Sequence, residues 1–219
     1  SPVSAHVPFA EMMSDPERVF ADYSALGCKY IAVPYLTGEY RPGADGFPKL
    51  IEDIRMLGGA AKKRGMQLLY HNHDFEFAKV DGKYGLDMLY DSIPSDLLQT
   101  ELDTCWISVA GESPIDYIKK YSGRSPLVHL KDFVMKDRKK PSHLYNLIGI
   151  KPDESAKPED ENFGFRPVGY GVQDIPAIVS ASADAGAKWL VVEQDEPGPD
   201  KTPLESAKMS VDYLKSLSL

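Results

Sequence analysis

The chain has 219 residues, 42% of them hydrophobic and 26% charged, with a formal net charge of −8 and a pI near 5.1. That is the composition of an ordinary globular protein, and residues 1–219 are expected to form a single domain. The acidic balance argues against a surface built to neutralise nucleic-acid phosphates, and no run approaches the roughly 20 apolar residues of a membrane span. The only cysteines, Cys28 and Cys105, make no Cys-x-x-Cys pair, so neither a disulfide framework nor a thiolate zinc site is suggested. No signal-peptide pattern opens the chain, and a cytoplasmic location is expected.

Pro2 to Val7 reads as a strand. Ser14-Asp15-Pro16-Glu17 then offers a helix cap, a proline for the first turn and an acid at the positive helix end, with Val19, Phe20, Tyr23 and Leu26 on one stripe and Gly27 as the stop. Tyr30 to Tyr35 is apolar throughout, as a strand covered on both faces would be. A Gly/Pro-rich loop follows, and Leu50, Ile54, Leu57 and Ala61 continue with helical spacing to Gly65. The next strand runs into Tyr70-His71-Asn72-His73-Asp74-Phe75-Glu76-Phe77, where alternation puts His71 and His73 on one face. Helices are expected over 84–93 and 114–121, and strands over 97–102 and 127–132. The polar segment 133–170, with an apolar piece at Leu144 to Ile150, reads as a lid, binding loop or insertion. A helix from Gln173 to Gly186, a strand at Trp189 to Glu193 and a closing helix with Leu204, Ala207, Val211 and Leu214 inward complete the chain.

Strand and helix thus alternate about six times, which predicts a parallel sheet covered by helices. No Gly-rich phosphate loop follows any strand, so a barrel is preferred to a dinucleotide-binding sheet. Polar residues gather at the carboxyl ends of four strands: His71 and His73, Glu101 and Asp103, His129 and Lys131, Glu193 and Asp195. Each alone reads equally well as a cap, a surface ion pair or a satisfied core group. Together, imidazoles and carboxylates converging on one barrel mouth suit a divalent metal with mixed nitrogen and oxygen ligands, Mn²⁺, Zn²⁺, Mg²⁺ or Co²⁺.

Tyr-His-Asn-His-Asp-Phe-Glu-Phe at 70–77, Glu-Leu-Asp-Thr-Cys-Trp at 101–106, His-Leu-Lys-Asp at 129–132, Gly-Tyr-Gly at 169–171 and Val-Val-Glu-Gln-Asp at 191–195 resemble the sugar phosphate isomerase/epimerase family. These xylose-isomerase-like barrels include ketose 3-epimerases, inosose dehydratase and, more distantly, endonuclease IV. The resemblance implies a (β/α)8 TIM barrel, here lacking its first two βα units and so incomplete at the N-terminus. It implies one divalent metal held at His71, Asp103, His129 and Glu193. Many relatives have Glu-Asn-His where this chain has His71-Asn72-His73, so the first ligand would be an imidazole. The implied function is a metal-dependent sugar isomerase or epimerase that abstracts a proton beside a carbonyl. The alternatives are a dehydratase acting on a keto-sugar or inosose through the same site, and a non-catalytic sugar-binding barrel. Expected roles are Glu193 as base, Lys131 at the oxyanion, His73 and His6 on substrate hydroxyls, Glu101 as a further substrate contact, and Trp106 as a wall for the sugar. The partner is a small sugar or keto-sugar, and relatives' habits extend to a homo-oligomer.

Overall fold

The computed structural model describes residues 2–136, Tyr145 and 163–217. In chain order the elements are α1 (Phe9–Ser14), α2 (Pro16–Ala25), β1 (Tyr30–Val33), α3 (Phe47–Lys63), β2 (Gln67–His71), β3 (Lys79–Val80), β4 (Lys83–Tyr84), α4 (Gly85–Ser92), β5 (Gln99–Asp103), α5 (Thr104–Val109), α6 (Pro114–Lys120), β6 (Leu127–Leu130), β7 (Asp132–Met135), β8 (Phe163–Arg166), α7 (Ile175–Asp184), β9 (Trp189–Val192) and α8 (Pro203–Ser216). The apolar runs pair into a five-stranded parallel sheet in the order β1-β2-β5-β6-β9. Residues 3–7 lie alongside β1 as a sixth, strand-like segment: Ala32 N donates to Ala5 O at 2.8 Å and Val7 N to Ala32 O at 3.0 Å. The result is a TIM-barrel-type α/β fold, curled and partial, with the helices outside and the strands' carboxyl ends on one rim.

The local signals account for most elements. Asp15 caps α2 by accepting from Arg18 N at 3.1 Å, and Gly27 ends it with φ +90°, a conformation costly for any residue with a Cβ. Along α3, Leu50, Ile54, Leu57 and Ala61 are fully buried, as their spacing demands. Thr202 and Glu205 form a capping box on α8. One hydrophobic cluster joins Val7 near the start to Ala185 on the far side of the sheet.

Three features depart from expectation. β7 and β8 form an antiparallel hairpin beside the rim, pairing Asp132 with Arg166 and Met135 with Phe163; the apolar piece expected at 144–150 lies outside the described residues apart from Tyr145. The short helices α1 and α5 were not legible as helices, because each is only six residues long. On α8 the first part of the stripe expected inside is outside: Leu204 is 81% and Val211 43% exposed, while Ser206 and Ser210 face inward and, of the stripe, Leu214 alone packs against the core. The cause is the sheet's edge. Among the described residues β9 pairs only with β6, so Trp189 and Leu190 are also exposed and nothing lies over the outer face of α8. No helix among the described residues is long and apolar enough to cross a membrane.

Two neighbouring glycines of α3 make opposite demands. A Cβ on Gly58 would sit 2.3 Å from the Leu97 carbonyl oxygen, whereas one on Gly59 would meet nothing within 4 Å. Gly59→Ala is therefore expected to stabilise the protein by about 0.5–1 kcal/mol through helix propensity, and Gly58→Ala to destabilise it by about 2 kcal/mol through overpacking against backbone. Urea denaturation of both variants beside the wild type checks the opposite signs.

Candidate active site

In-register pairing decides what meets at the rim. His71 stands opposite Glu101, Asp103 opposite His129, and Leu130 opposite Val192, which delivers Glu193 one residue later. His71 Nε2 lies 3.5 Å from Asp103 Oδ2 and 3.4 Å from Glu193 Oε2, and Glu193 Oε2 lies 3.1 Å from His129 Nδ1. All four donor atoms fall within 4.8 Å of one another. His71, Asp103 and His129 are buried, and Glu193 is half-buried.

The His129–Glu193 contact is a hydrogen bond, but the two contacts of His71 are not, and all three are good ligand spacings. Both His71 nitrogens and Asp103 Oδ2 are buried without a hydrogen-bond partner among the described residues, an arrangement that costs several kcal/mol if nothing else satisfies it. A four-coordinate ion with ligands at about 2.1 Å places neighbouring donors about 3.4 Å apart; three of the six separations here are 3.1–3.5 Å and none exceeds 4.8 Å. The donor set fits a divalent ion.

The electrostatics are those of cations and anions packed out of water. Burial pushes the His71 pKa down, but the Asp103 and Glu193 carboxylates outweigh it and raise it to about 10. Burial opposes charge on His129 too, and Glu101 with Glu193 raises it to about 9. Glu193 is driven well below the carboxylate range, burial being overcome by His129 and His71. Lys131, 2% exposed, is raised against burial by Asp103, Glu193 and Asp195; its Nζ lies 2.6 Å from Asp195 Oδ2 and 3.3 Å from Glu193 Oε2. His73 moves the other way, since burial and the neighbouring His71 and Lys131 charges hold it neutral.

His6, Pro34, Tyr35, His71, His73, Lys131, Glu193 and Asp195 line a 180 Å³ cavity over this cluster. A 700 Å³ cavity beside it shares Pro34 and Tyr35. Trp106 reaches neither. It is fully buried and backs His73, with ring centroids 4.9 Å apart, and Lys131, whose Nζ is 5.2 Å from the indole. Glu101 lies between His6 Nε2 at 2.6 Å and His129 Nε2 at 3.1 Å, on the wall of a third, 380 Å³ cavity. Sequence reasoning passed over Tyr35 and Arg41. Tyr35 packs edge-on to His73, and the Arg41 guanidinium lies 4.0 Å from the Phe75 ring centre and donates to Tyr35 Oη. Their only signal was an aromatic residue just past a strand end.

Other motif residues hold the frame. Asn72 ties β2 to β5, its Oδ1 accepting from Asp103 N at 3.0 Å. Asp103 also caps α5, accepting from Trp106 N at 2.9 Å through Oδ1 and leaving Oδ2 for the cluster. Asp132 accepts from the backbone of Phe133, Gly169, Gly171 and Gln173 at 2.8–3.2 Å. A Cβ on Gly171 would meet Asp132 Oδ1 at 2.1 Å, which explains that glycine.

Residues 17–217 match the family described as xylose isomerase-like TIM barrel. The chain belongs to that family. An inosose dehydratase of Clostridium perfringens is 26% identical over 220 residues, covering 92% of this chain and 70% of that protein. Among solved structures, a sugar phosphate isomerase/epimerase of Parabacteroides distasonis superposes with TM-score 0.75 at 19% identity, covering 99% of this chain and 71% of that one. The IOLI protein, determined with a bound zinc atom, superposes with TM-score 0.67 at 17% identity, covering all of this chain and 78% of that one. The family is one of enzymes.

Glu76 gives a pH test of the frame. Its carboxylate accepts from His73 N at 2.8 Å and from Tyr70 Oη, yet burial raises its pKa from 4.5 to about 7. A carboxyl with a higher pKa folded than unfolded keeps its proton longer in the fold, so its contribution to stability falls as pH climbs from about 4.5 to about 7. Glu76→Gln, which does not titrate, is expected to gain about 3 kcal/mol on the wild type between about pH 4 and pH 8. Urea unfolding of both proteins across that range checks the sign.

Proposed function

We propose that this chain is a single barrel domain that binds one divalent metal ion through His71, Asp103, His129 and Glu193 and removes water from a keto-sugar or inosose. The observation that carries the reading is the convergence of those four donors within 4.8 Å of one another, three pairs of them at 3.1–3.5 Å, beside a buried lysine. A bound ion would polarise the substrate carbonyl as a Lewis acid.

The residues supply the rest. Every polar contact of Glu193 recorded above runs through Oε2, which leaves Oε1 to take the proton from the carbon next to the carbonyl. The electron pair of the broken C–H bond forms the carbon–carbon double bond of an enolate, and Lys131 stabilises the negative charge that gathers on the carbonyl oxygen. As the carbonyl re-forms, the C–O bond at the neighbouring carbon breaks, and Glu193 returns its proton to the departing hydroxyl, releasing water. His73, neutral in its aromatic box, orients a substrate hydroxyl, and His6 reaches the same cavity.

The dehydratase reading is preferred to the isomerase or epimerase one on two grounds. The relative noted above is an inosose dehydratase. A two-carboxylate epimerisation needs an acid/base on each face of the carbon, and the position where many relatives carry the first glutamate is His71, an imidazole enclosed by carboxylates.

Metal-free protein is expected to take up about one Zn²⁺ or Co²⁺ per chain and to bind them more tightly than Mg²⁺, because two imidazoles and two carboxylates form a borderline-soft set. Mass-spectrometric metal analysis of the wild type beside Asp103→Ala/His129→Ala checks this, and retained metal in the double variant defeats the reading. Incubated with an inosose, the metal-loaded protein is expected to give a product lighter by one water; a stereoisomer of unchanged mass would return the assignment to an epimerase. Lys131→Met is expected to lower kcat about 10²–10³-fold with little change in metal content, measured by steady-state kinetics.

A further inference from the structure

Both oxygens of Glu101 already face imidazoles. Oε1 lies 3.1 Å from His129 Nε2 and Oε2 lies 2.6 Å from His6 Nε2, and the residue is 1% exposed. Its position on β5 is fixed by pairing with His71 on one side and Leu127 on the other.

We propose that Glu101 is a positioning residue that sets the tautomer and ring orientation of His129 so that Nδ1 presents its lone pair to the metal. A neutral imidazole carries one proton, and the nitrogen that holds it cannot also ligate an ion. A proton held on Nε2 by the Glu101 carboxylate 3.1 Å away would leave Nδ1, which hydrogen-bonds Glu193 Oε2 at 3.1 Å in this structure, to exchange that bond for an ion. A carboxylate on the outer nitrogen also raises the basicity of the inner one. The two candidate ligand histidines differ in this respect. His71 Nδ1 is buried without a partner among the described residues, whereas His129 Nε2 has the Glu101 carboxylate 3.1 Å away. His6, on the segment alongside β1, is the second hand on Glu101: it occupies Oε2 and keeps the carboxylate from rotating toward His129 with both oxygens.

This inference rests on the metal-site reading above, and the experiment separates the two. Metal-free full-length protein is titrated with Co²⁺ and followed by its visible absorption, comparing the wild type with Asp103→Ala, Glu101→Gln and Glu101→Leu, with circular dichroism confirming the fold of each. Glu101→Leu is expected to bind Co²⁺ about 10–100-fold more weakly, and Glu101→Gln, which can still accept from Nε2–H, to lie between it and the wild type. A folded Glu101→Leu within threefold of wild-type affinity overturns the positioning role, whereas Asp103→Ala with undiminished binding overturns the metal site itself. Should Glu101→Leu not fold, the decision falls to ¹⁵N NMR of the zinc-loaded wild type: an Nε2–H tautomer at His129 supports the proposal, and an Nδ1–H tautomer refutes it.

Discussion

Parallel pairing in register is the constraint on which the rest of the structure depends. Adjacent strands run about 4.8 Å apart, and the register sets His71, Glu101, Asp103, His129 and Glu193 at neighbouring points along one rim. A slip of one residue on β5 would turn Glu101 and Asp103 to the opposite face and put Leu102 in their place. The apolar interiors of the strands, Leu68, Leu69, Leu102, Val128 and Leu130 among them, are buried completely and resist that slip. Chemistry at the rim is therefore held by hydrophobic packing below it.

Bringing so many ionisable groups out of water is expensive, and the molecule offsets the cost in pairs. Lys131 is set against Asp195, and Glu101 is shared between His6 and His129. His71 and Asp103 Oδ2 are the exceptions, close to each other without a hydrogen bond. Their charges offset one another, but a buried polar atom without a hydrogen bond still costs about 1–3 kcal/mol. The surrounding motif residues serve the same end by fixing backbone: Asn72 across β2 and β5, Glu76 under His73, and Asp132 under the turn that carries Gln173.

Periodicity and strand-end chemistry were enough to read the barrel and to name most residues that meet at the rim, since hydrophobic runs and short turns follow local rules. What escaped was set by distant contacts. Trp106 follows a strand-end acid and looks like a substrate wall, yet Asp103 caps α5 and turns the indole into the core. Glu101 looks like a substrate ligand, and only the approach of His6 from the far end of the chain shows what occupies it. The stripe on α8 obeys helical spacing, but a helix at an open sheet edge need not bury its apolar face against the described residues. Tyr35 and Arg41 gave almost no signal, because their value lies in stacking on His73 and Phe75 from another loop.

The charge balance of the cluster bears on the kind of molecule it accepts. On the proposed ligand set, a divalent ion is neutralised by Asp103 and Glu193, Lys131 by Asp195, and the His6–Glu101 contact closes on itself. Among the described residues that line the cavity, no cation is left without a carboxylate partner. Arg41, the other cation near the cavity, has its guanidinium against the Phe75 ring and donates to Tyr35 and to Leu36 O. A phosphate introduced here would have to be desolvated beside four carboxylates with no free donor of opposite charge, a penalty of several kcal/mol. A neutral polyhydroxy ketone carries no such penalty. On the proposed function its hydroxyls would meet His73 and His6 and its carbonyl would meet Lys131, all of which line the cavity.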